Sequence, residues 1–161
     1  MTFEDRLTVW VDDLRVELHA VSTPAHTTND IVAWIPERSV LFTGDLVFAG
    51  GIPFVPMGSV RGSIEGLDWL RGFGARTVVP GHGLVSTPNV LDDVQDYLRI
   101  VQDTARRGKA AGLSPLELAR QTDLGRFAEL DGAEPGAPID TVAALRDMVA
   151  YNSGQPLRCL A

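Results

Sequence analysis

The sequence predicts an α/β domain built in layers, with strands first and helices after. Three observations carry that reading. Apolar and polar residues alternate with a period of two from Leu7 to Val11 and from Leu14 to Val21, two more β-rich runs follow by Phe42, and a 3.6-residue period takes over after Thr87. The chain has 161 residues, 45% of them hydrophobic and 22% charged, which is one core's worth of sequence and too apolar to stay disordered.

The elements follow in order. Leu7 to Val11 and Leu14 to Val21 alternate around Asp12 and Asp13 and read as a hairpin, with Val16, Leu18 and Ala20 on one face and Arg15, Glu17 and His19 on the other. Asp30 to Ile35 and Ser39 to Phe42 form a second hairpin across the short polar turn Pro36-Glu37-Arg38. A stretch rich in Gly and Pro runs from Ala49 to Gly62. Beyond it Ile64, Leu67, Leu70 and Phe73 recur at three-residue spacing, which a helix places roughly on one face.

Arg76 to Pro80 is expected as a short buried strand between the helices. A long helix should begin after Thr87, a suitable N-cap with Pro88 at the first helical position, because Val90, Leu91, Val94, Tyr97, Leu98 and Val101 keep the helical period; Gly108 should end it. Ser114-Pro115-Leu116-Glu117 has the capping-box pattern and starts a short helix. Leu130 to Pro138 reads as an exposed loop and Ile139 to Tyr151 as a last helix. With no internal repeat and no long linker, residues 1–161 are one unit.

Composition excludes several classes of function. Fourteen basic residues against 21 acidic give a formal net charge of −7, the wrong sign for a surface that must neutralise phosphates, so no nucleic-acid partner is expected. The longest uncharged stretches, Leu46 to Val60 and Thr77 to Leu91, are 15 residues each and are broken by Gly and Pro, so no membrane span is expected. Glu4 and Asp5 stand where a signal peptide would carry basic residues, so export is not signalled and a cytoplasmic location is expected. Cys159 is the single cysteine, which leaves nitrogen and oxygen as the only donors for any metal.

Three histidines remain to carry chemistry. His19, on the polar face of its strand, reads as solvated and is set aside. His26 follows a strand in Pro-Ala-His-Thr-Thr-Asn-Asp, Asp45 follows another in Phe-Thr-Gly-Asp-Leu, and His82 follows a third in Pro-Gly-His-Gly. Three N/O donors at strand ends beside glycines are what a sheet edge needs to converge them on one ligand. Taken singly, each has a plainer reading: a loop histidine is usually polar surface, and an aspartate after glycine is usually a turn or cap residue.

His-Thr-x-x-Asp, then Thr-Gly-Asp, then Pro-Gly-His-Gly, in that order and with 18 and 36 residues between His26, Asp45 and His82, resemble the second half of the metallo-β-lactamase superfamily. The resemblance implies half of an αββα sandwich whose sheet edges hold two zinc ions. By motif match it makes His26 a ligand of the first zinc, His82 a ligand of the second, and Asp45 the bridging carboxylate on which catalysis depends. The family's leading His-x-His-x-Asp-His signature is absent from the 25 residues before His26. The three residues cannot saturate two ions, and a lone two-histidine, one-carboxylate iron triad conflicts with the resemblance, which assigns the histidines to different metals.

The resemblance therefore implies a zinc-dependent hydrolase acting on an ester, thioester, lactone or amide carbonyl, with the rest of the site supplied by an N-terminal half from the same precursor or a separate chain. The alternative is a non-catalytic half-domain for binding or assembly. In either case the faces carrying Val16, Leu18 and Ala20, and Val94, Leu98 and Val101, should lack much of their partner layer, so the chain is expected in an oligomer or complex. Phe48 to Ser59 is apolar and turn-rich and could wall a pocket for a small apolar or aromatic acyl substrate, or simply close the sheet edge. Arg61 could anchor an anion or stand solvated, and Asp30 reads as supporting or turn-forming. Within the superfamily, Thr-Gly-Asp-Leu-Val-Phe with the following Pro-Phe and Met-Gly-Ser is similar to bacterial hydrolases that include the aromatic polyketide cyclase and thioesterase branch. Thirteen of the 14 basic residues are arginine, a bias of GC-rich bacterial sequences. The nuclease branch is disfavoured by the negative charge.

Overall fold

The computed structural model describes residues 2–55 and 57–130. Five strands form one sheet in the order β1-β2-β3-β4-β5. β1 (Arg6–Val11), β2 (Leu14–Ala20), β3 (Ile31–Ile35) and β4 (Val40–Phe48) are antiparallel neighbours, and β5 (Thr77–His82) lies parallel to β4. A parallel pair needs a crossover, and α1 (Val60–Arg71) supplies it. α2 (Val90–Ala110) and α3 (Pro115–Gln121) follow. The expected strands-then-helices α/β order is therefore the observed one. The expected last helix, the expected loop past Leu130 and Cys159 lie outside the described residues.

Local chemistry explains most boundaries. The first hairpin turns without glycine because Asp12 takes a left-handed φ of 53°, a conformation short polar side chains tolerate. Ser59 caps α1 by accepting from the Gly62 amide, which starts that helix inside the Gly/Pro-rich stretch rather than after it. α2 departs from expectation at both ends. Thr87 and Pro88 form a preceding turn and the cap position falls at Asn89, while Gly108 sits within the helix, where a Cβ would collide with Leu118. Its missing side chain lets α3 dock there instead of stopping α2. The capping box at Ser114 and Glu117 forms as expected.

The core lies between one face of the sheet and the two longer helices. Leu41 and Val78 are fully buried, Val32 is 1% exposed, and against this face stand Leu67 and Leu70 of α1 and Leu91, Leu98 and Val101 of α2. The α2 face that was expected to want a missing layer is thus satisfied within the chain. The opposite sheet face is different. Leu7 and Val9, Val16 and Leu18, Ala33, Val40 and Val79 all keep partial exposure, and Val11, Ile31 and Phe42 are 59%, 48% and 41% exposed. No described element covers them.

Pairing fixes which face is which. His19 pairs with Val32 and Glu17 with Trp34, so the polar side of β2 faces the helices. His19 is not solvated, as its alternation implied. Its ring meets Phe73 edge-on at 5.0 Å and Trp69 at 6.4 Å, and Nε2 lies 3.0 Å from Glu17 Oε2. Glu17 in turn pairs with Arg15, which reaches Glu37, so charged groups half-buried under α1 find partners.

Candidate metal centre

His26, Asp45 and His82 meet at one end of the sheet, each delivered by a different local device. β4 does not stop at Phe42 but runs through the Thr-Gly-Asp segment to Phe48, with its register against β5 shifting on either side of Gly44. Gly44 has φ 54°, open to glycine at little cost, and this bulge re-aims the strand so that Asp45 leaves it beside β5. There the carboxylate lies against the Gly81 backbone, where any Cβ would strike Asp45 Oδ1. His82, the last residue of β5, pairs with Phe48 and stacks on its ring at 4.4 Å with planes 8° apart. Gly83, at φ 89°, turns the chain away against Ala49.

His26 sits on the loop between β2 and β3. Its Nδ1 is 2.6 Å from the Phe54 carbonyl oxygen, which can only accept, so Nδ1 carries the proton of this bond. In the neutral ring the other nitrogen, Nε2, then offers a lone pair. That nitrogen lies 3.5 Å from Asp45 Oδ2, and His82 Nε2 lies 3.5 Å from Asp45 Oδ1. Each oxygen of one carboxylate thus faces a different imidazole at a separation too long for a good hydrogen bond. With Nδ1 as the donor to Phe54, the neutral His26 ring would set an acceptor, Nε2, opposite Asp45 Oδ2, an arrangement that suits a cation.

The three donors do not close around a single point, and among the described residues no group of three or more His, Cys, Asp or Glu side chains is arranged to hold one metal ion. The geometry is instead two donor pairs sharing Asp45. That argues against the two-histidine, one-carboxylate triad, which needs all three on one ion. Exposure rises across the set, with side chains 16% exposed at His26, 41% at Asp45 and 60% at His82.

The stretch Phe48 to Ser59 divides. Pro53 and Val55 are buried in the core, whereas Phe54 and Met57 are 41% and 56% exposed. Leu84 and Val85, which follow Gly83, are 83% and 64% exposed. On another side of Phe48 a groove runs along α2, lined by Pro53, Val94, Tyr97 and Phe127 among others, with Arg126 neutralised by Asp93 and Asp96. Arg61 pairs with Glu65 at 2.7 Å across one turn of α1.

The sequence reads Asp30 as supporting or turn-forming, and the structure ties it to Thr27. Its carboxylate accepts from the Thr27 amide at 2.9 and 3.0 Å and from the Thr27 hydroxyl at 2.7 Å, next door to His26. The His-Thr-x-x-Asp spacing held the signal, since an aspartate three residues after a threonine is well placed to close such a turn.

Comparison with known proteins bears on the family and the fold. A model of the metallo-beta-lactamase superfamily matches residues 10–82, a span that contains all three donors. A hydroxyacylglutathione hydrolase of Rhodospirillum rubrum is 33% identical over 76 residues, covering 47% of this chain and 30% of that protein. A metallo-beta-lactamase from Pontibacter korlensis superposes with a TM-score of 0.56 at 22% identity, over 61% of this chain and 47% of that one. The stereoselective inverting sec-alkylsulfatase of a Pseudomonas species gives 0.70 at 15% identity, over 98% of this chain and 28% of that one. This chain therefore spans less than half the length of each of these proteins. Residues 10–82 thus match the metallo-beta-lactamase superfamily model, and the fold is like that of a solved metallo-beta-lactamase.

Proposed function

We propose that this chain supplies one half of the metal centre of a zinc-dependent hydrolase that acts on an ester, thioester or lactone carbonyl bearing a small apolar or aromatic acyl group. The observation that carries it is the Asp45 carboxylate, with one oxygen toward His26 and the other toward His82, both at 3.5 Å. His26 and Asp45 would hold one zinc, and His82 and Asp45 the other. Zinc bound there would supply a water acidified to about pKa 7 and an electrophile for the carbonyl. The chain's own part is to space the two positions through Asp45, to fix the His26 tautomer through Phe54, and to offer Phe54, Leu84 and Val85 as an apolar rim for the acyl group. The relative from Rhodospirillum is named for hydrolysis of a hydroxyacyl conjugate, which is compatible with acyl chemistry. The narrower polyketide cyclase or thioesterase reading rests on sequence likeness.

Each zinc would need about three protein ligands, so the proposal includes an N-terminal half with a His-x-His-x-Asp-His signature, from the same precursor or a separate chain. Residues 1–161 are then a C-terminal half-domain. The uncovered face of β1 to β4 offers a docking surface for that half, and a cytoplasmic bacterial setting would suit it. The alternative, a non-catalytic assembly half-domain, is favoured by the same open face together with the two-donor limit at each position.

The test is metal content with and without a partner. The purified chain should hold fewer than two zinc ions and hold them weakly; with an N-terminal half present, two should bind and a thioester should turn over. Asp45→Ala should then abolish turnover and leave the fold intact, because the side chain is 41% exposed and contributes little to the core. Two tightly held zincs on the monomer, or full activity in Asp45→Ala, would overturn the proposal. Partner binding without metal would select the assembly module.

A further inference from the structure

The loop that carries His26 is held from two sides by groups that take no part in the proposed ligand set. On one side Asp30 accepts three contacts from Thr27, and the Thr27 carbonyl accepts from the Ala25 amide at 2.9 Å, so both neighbours of His26 are tied. On the other side the start of α1 grips the same loop: the Ser59 amide donates to the Ala25 carbonyl at 2.9 Å and the Ser59 hydroxyl donates to the Pro24 carbonyl at 3.1 Å. The fit is tight enough that a Cβ at Gly58 would strike the Ala25 carbonyl and one at Gly62 the Pro24 carbonyl. Between these two grips the ring reaches the Phe54 carbonyl.

We propose that Asp30 is a positioning residue for His26, acting through Thr27 against the α1 N-terminus so that the ring keeps its proton on Nδ1 and presents Nε2 toward Asp45. A plain turn aspartate would need only one of the Thr27 contacts. Here both oxygens and both Thr27 donors are used, and the residue being steadied is the least exposed of the three donors. Ser59, 6% exposed, both caps its helix and holds the loop, which couples the crossover helix to the imidazole. This rests on the proposed ligand role of His26 for its purpose, but not for its geometry.

Two measurements on the full chain separate those levels. Long-range nitrogen–proton NMR, above the imidazole titration range and with signals assigned through His26→Gln, reads the His26 tautomer without any metal. Cobalt(II) titration reads its use as a ligand. Asp30→Ala should convert a single Nδ1–H form into a tautomer mixture and weaken cobalt binding about tenfold or more, the usual scale for losing such support. Asp30→Asn keeps one carbonyl acceptor for Thr27 and should recover part of both losses, and it serves as the folded comparison if Asp30→Ala is too unstable. An unchanged tautomer and cobalt affinity within about twofold of the parent in the Asp30 variants would overturn the proposal and leave Asp30 a turn former. If cobalt binding in the parent is indifferent to His26→Gln while Asp30→Ala still scrambles the tautomer, the positioning role stands and the metal reading of His26 fails.

Discussion

Along β4 and β5, Leu41 and Val78 are sealed under α1 and α2, while the residues beside them, Val40, Phe42 and Val79, point the other way and keep solvent contact. Both sets are apolar and belong to the same two strands. The difference is what lies opposite: helices from this chain on one side, no described element on the other. Strands apolar on both faces suit the middle of a layered fold, and the described residues cover one of the two faces.

The largest expected effect separates the two faces by stability. Leu41→Ala removes a fully buried side chain and should cost about 2–5 kcal/mol in denaturant unfolding, whereas Phe42→Ala, one residue on and 41% exposed, should cost less than about 1 kcal/mol. Equal losses would show that the open face is packed in solution, by a second copy or by other parts of the chain. Next in size is association. Light scattering and mass spectrometry should find a self-associated species or a second polypeptide, and placing lysine at Ile31 and Phe42 together should shift the material toward monomer with unfolding midpoint nearly unchanged. A parent that stays monomeric, unfolds sharply and binds no hydrophobic dye would break the comparison.

These tests also show where the sequence was informative. That His26, Asp45 and His82 come together was legible from their places at strand ends and from the order of the motifs that hold them. What the pattern does not encode is which face a partner will cover. Alternation in β2 separates Val16, Leu18 and Ala20 from Arg15, Glu17 and His19, and it was natural to send the charged set to water. The helices cover that set instead, because the aromatic side chains of Trp69 and Phe73 can pack on imidazole while the charges pair among themselves. β4 was cut short for a related reason. Thr-Gly-Asp reads locally as a turn, and only pairing with β5 converts its glycine into a bulge inside a longer strand.

His19 therefore gives a prediction of intermediate size. As a solvated residue its removal would be silent; packed edge-on against Phe73 and half-buried, His19→Ala should cost about 1 kcal/mol. The loss should leave cobalt binding unchanged, since His19 lies on the helix-covered face away from the donors. A shift in metal affinity would mean that the two regions are coupled through the sheet.

The smallest expected effect lies outside the sheet, at the N-terminus of α3, and sharpens the comparison by being independent of both faces. The Glu117 carboxyl is held below its ordinary range chiefly by the Ser114 hydroxyl, then by the Ser114 backbone amide, with Arg120 adding attraction. A carboxylate whose folded pKa is lowered stabilises above its unfolded value and loses that contribution as pH falls through the folded one. The capping box should thus be intact near neutrality and fade as acid takes the pH below the ordinary glutamate range, loosening α3 while the sheet stays folded. Amide exchange across residues 115–121, followed through that range, should rise in the parent. Glu117→Gln keeps a capping acceptor but cannot titrate, so its exchange should start slightly faster and respond less to acid. Because Leu118 of α3 packs on Gly108 of α2, remote from Phe42 and from Asp45, neither association nor metal binding should follow this transition. If the open face begins to associate in step with α3 loosening, the helix layer and the sheet share one cooperative unit, and the contrast between the faces is set by the whole domain rather than by what covers each side.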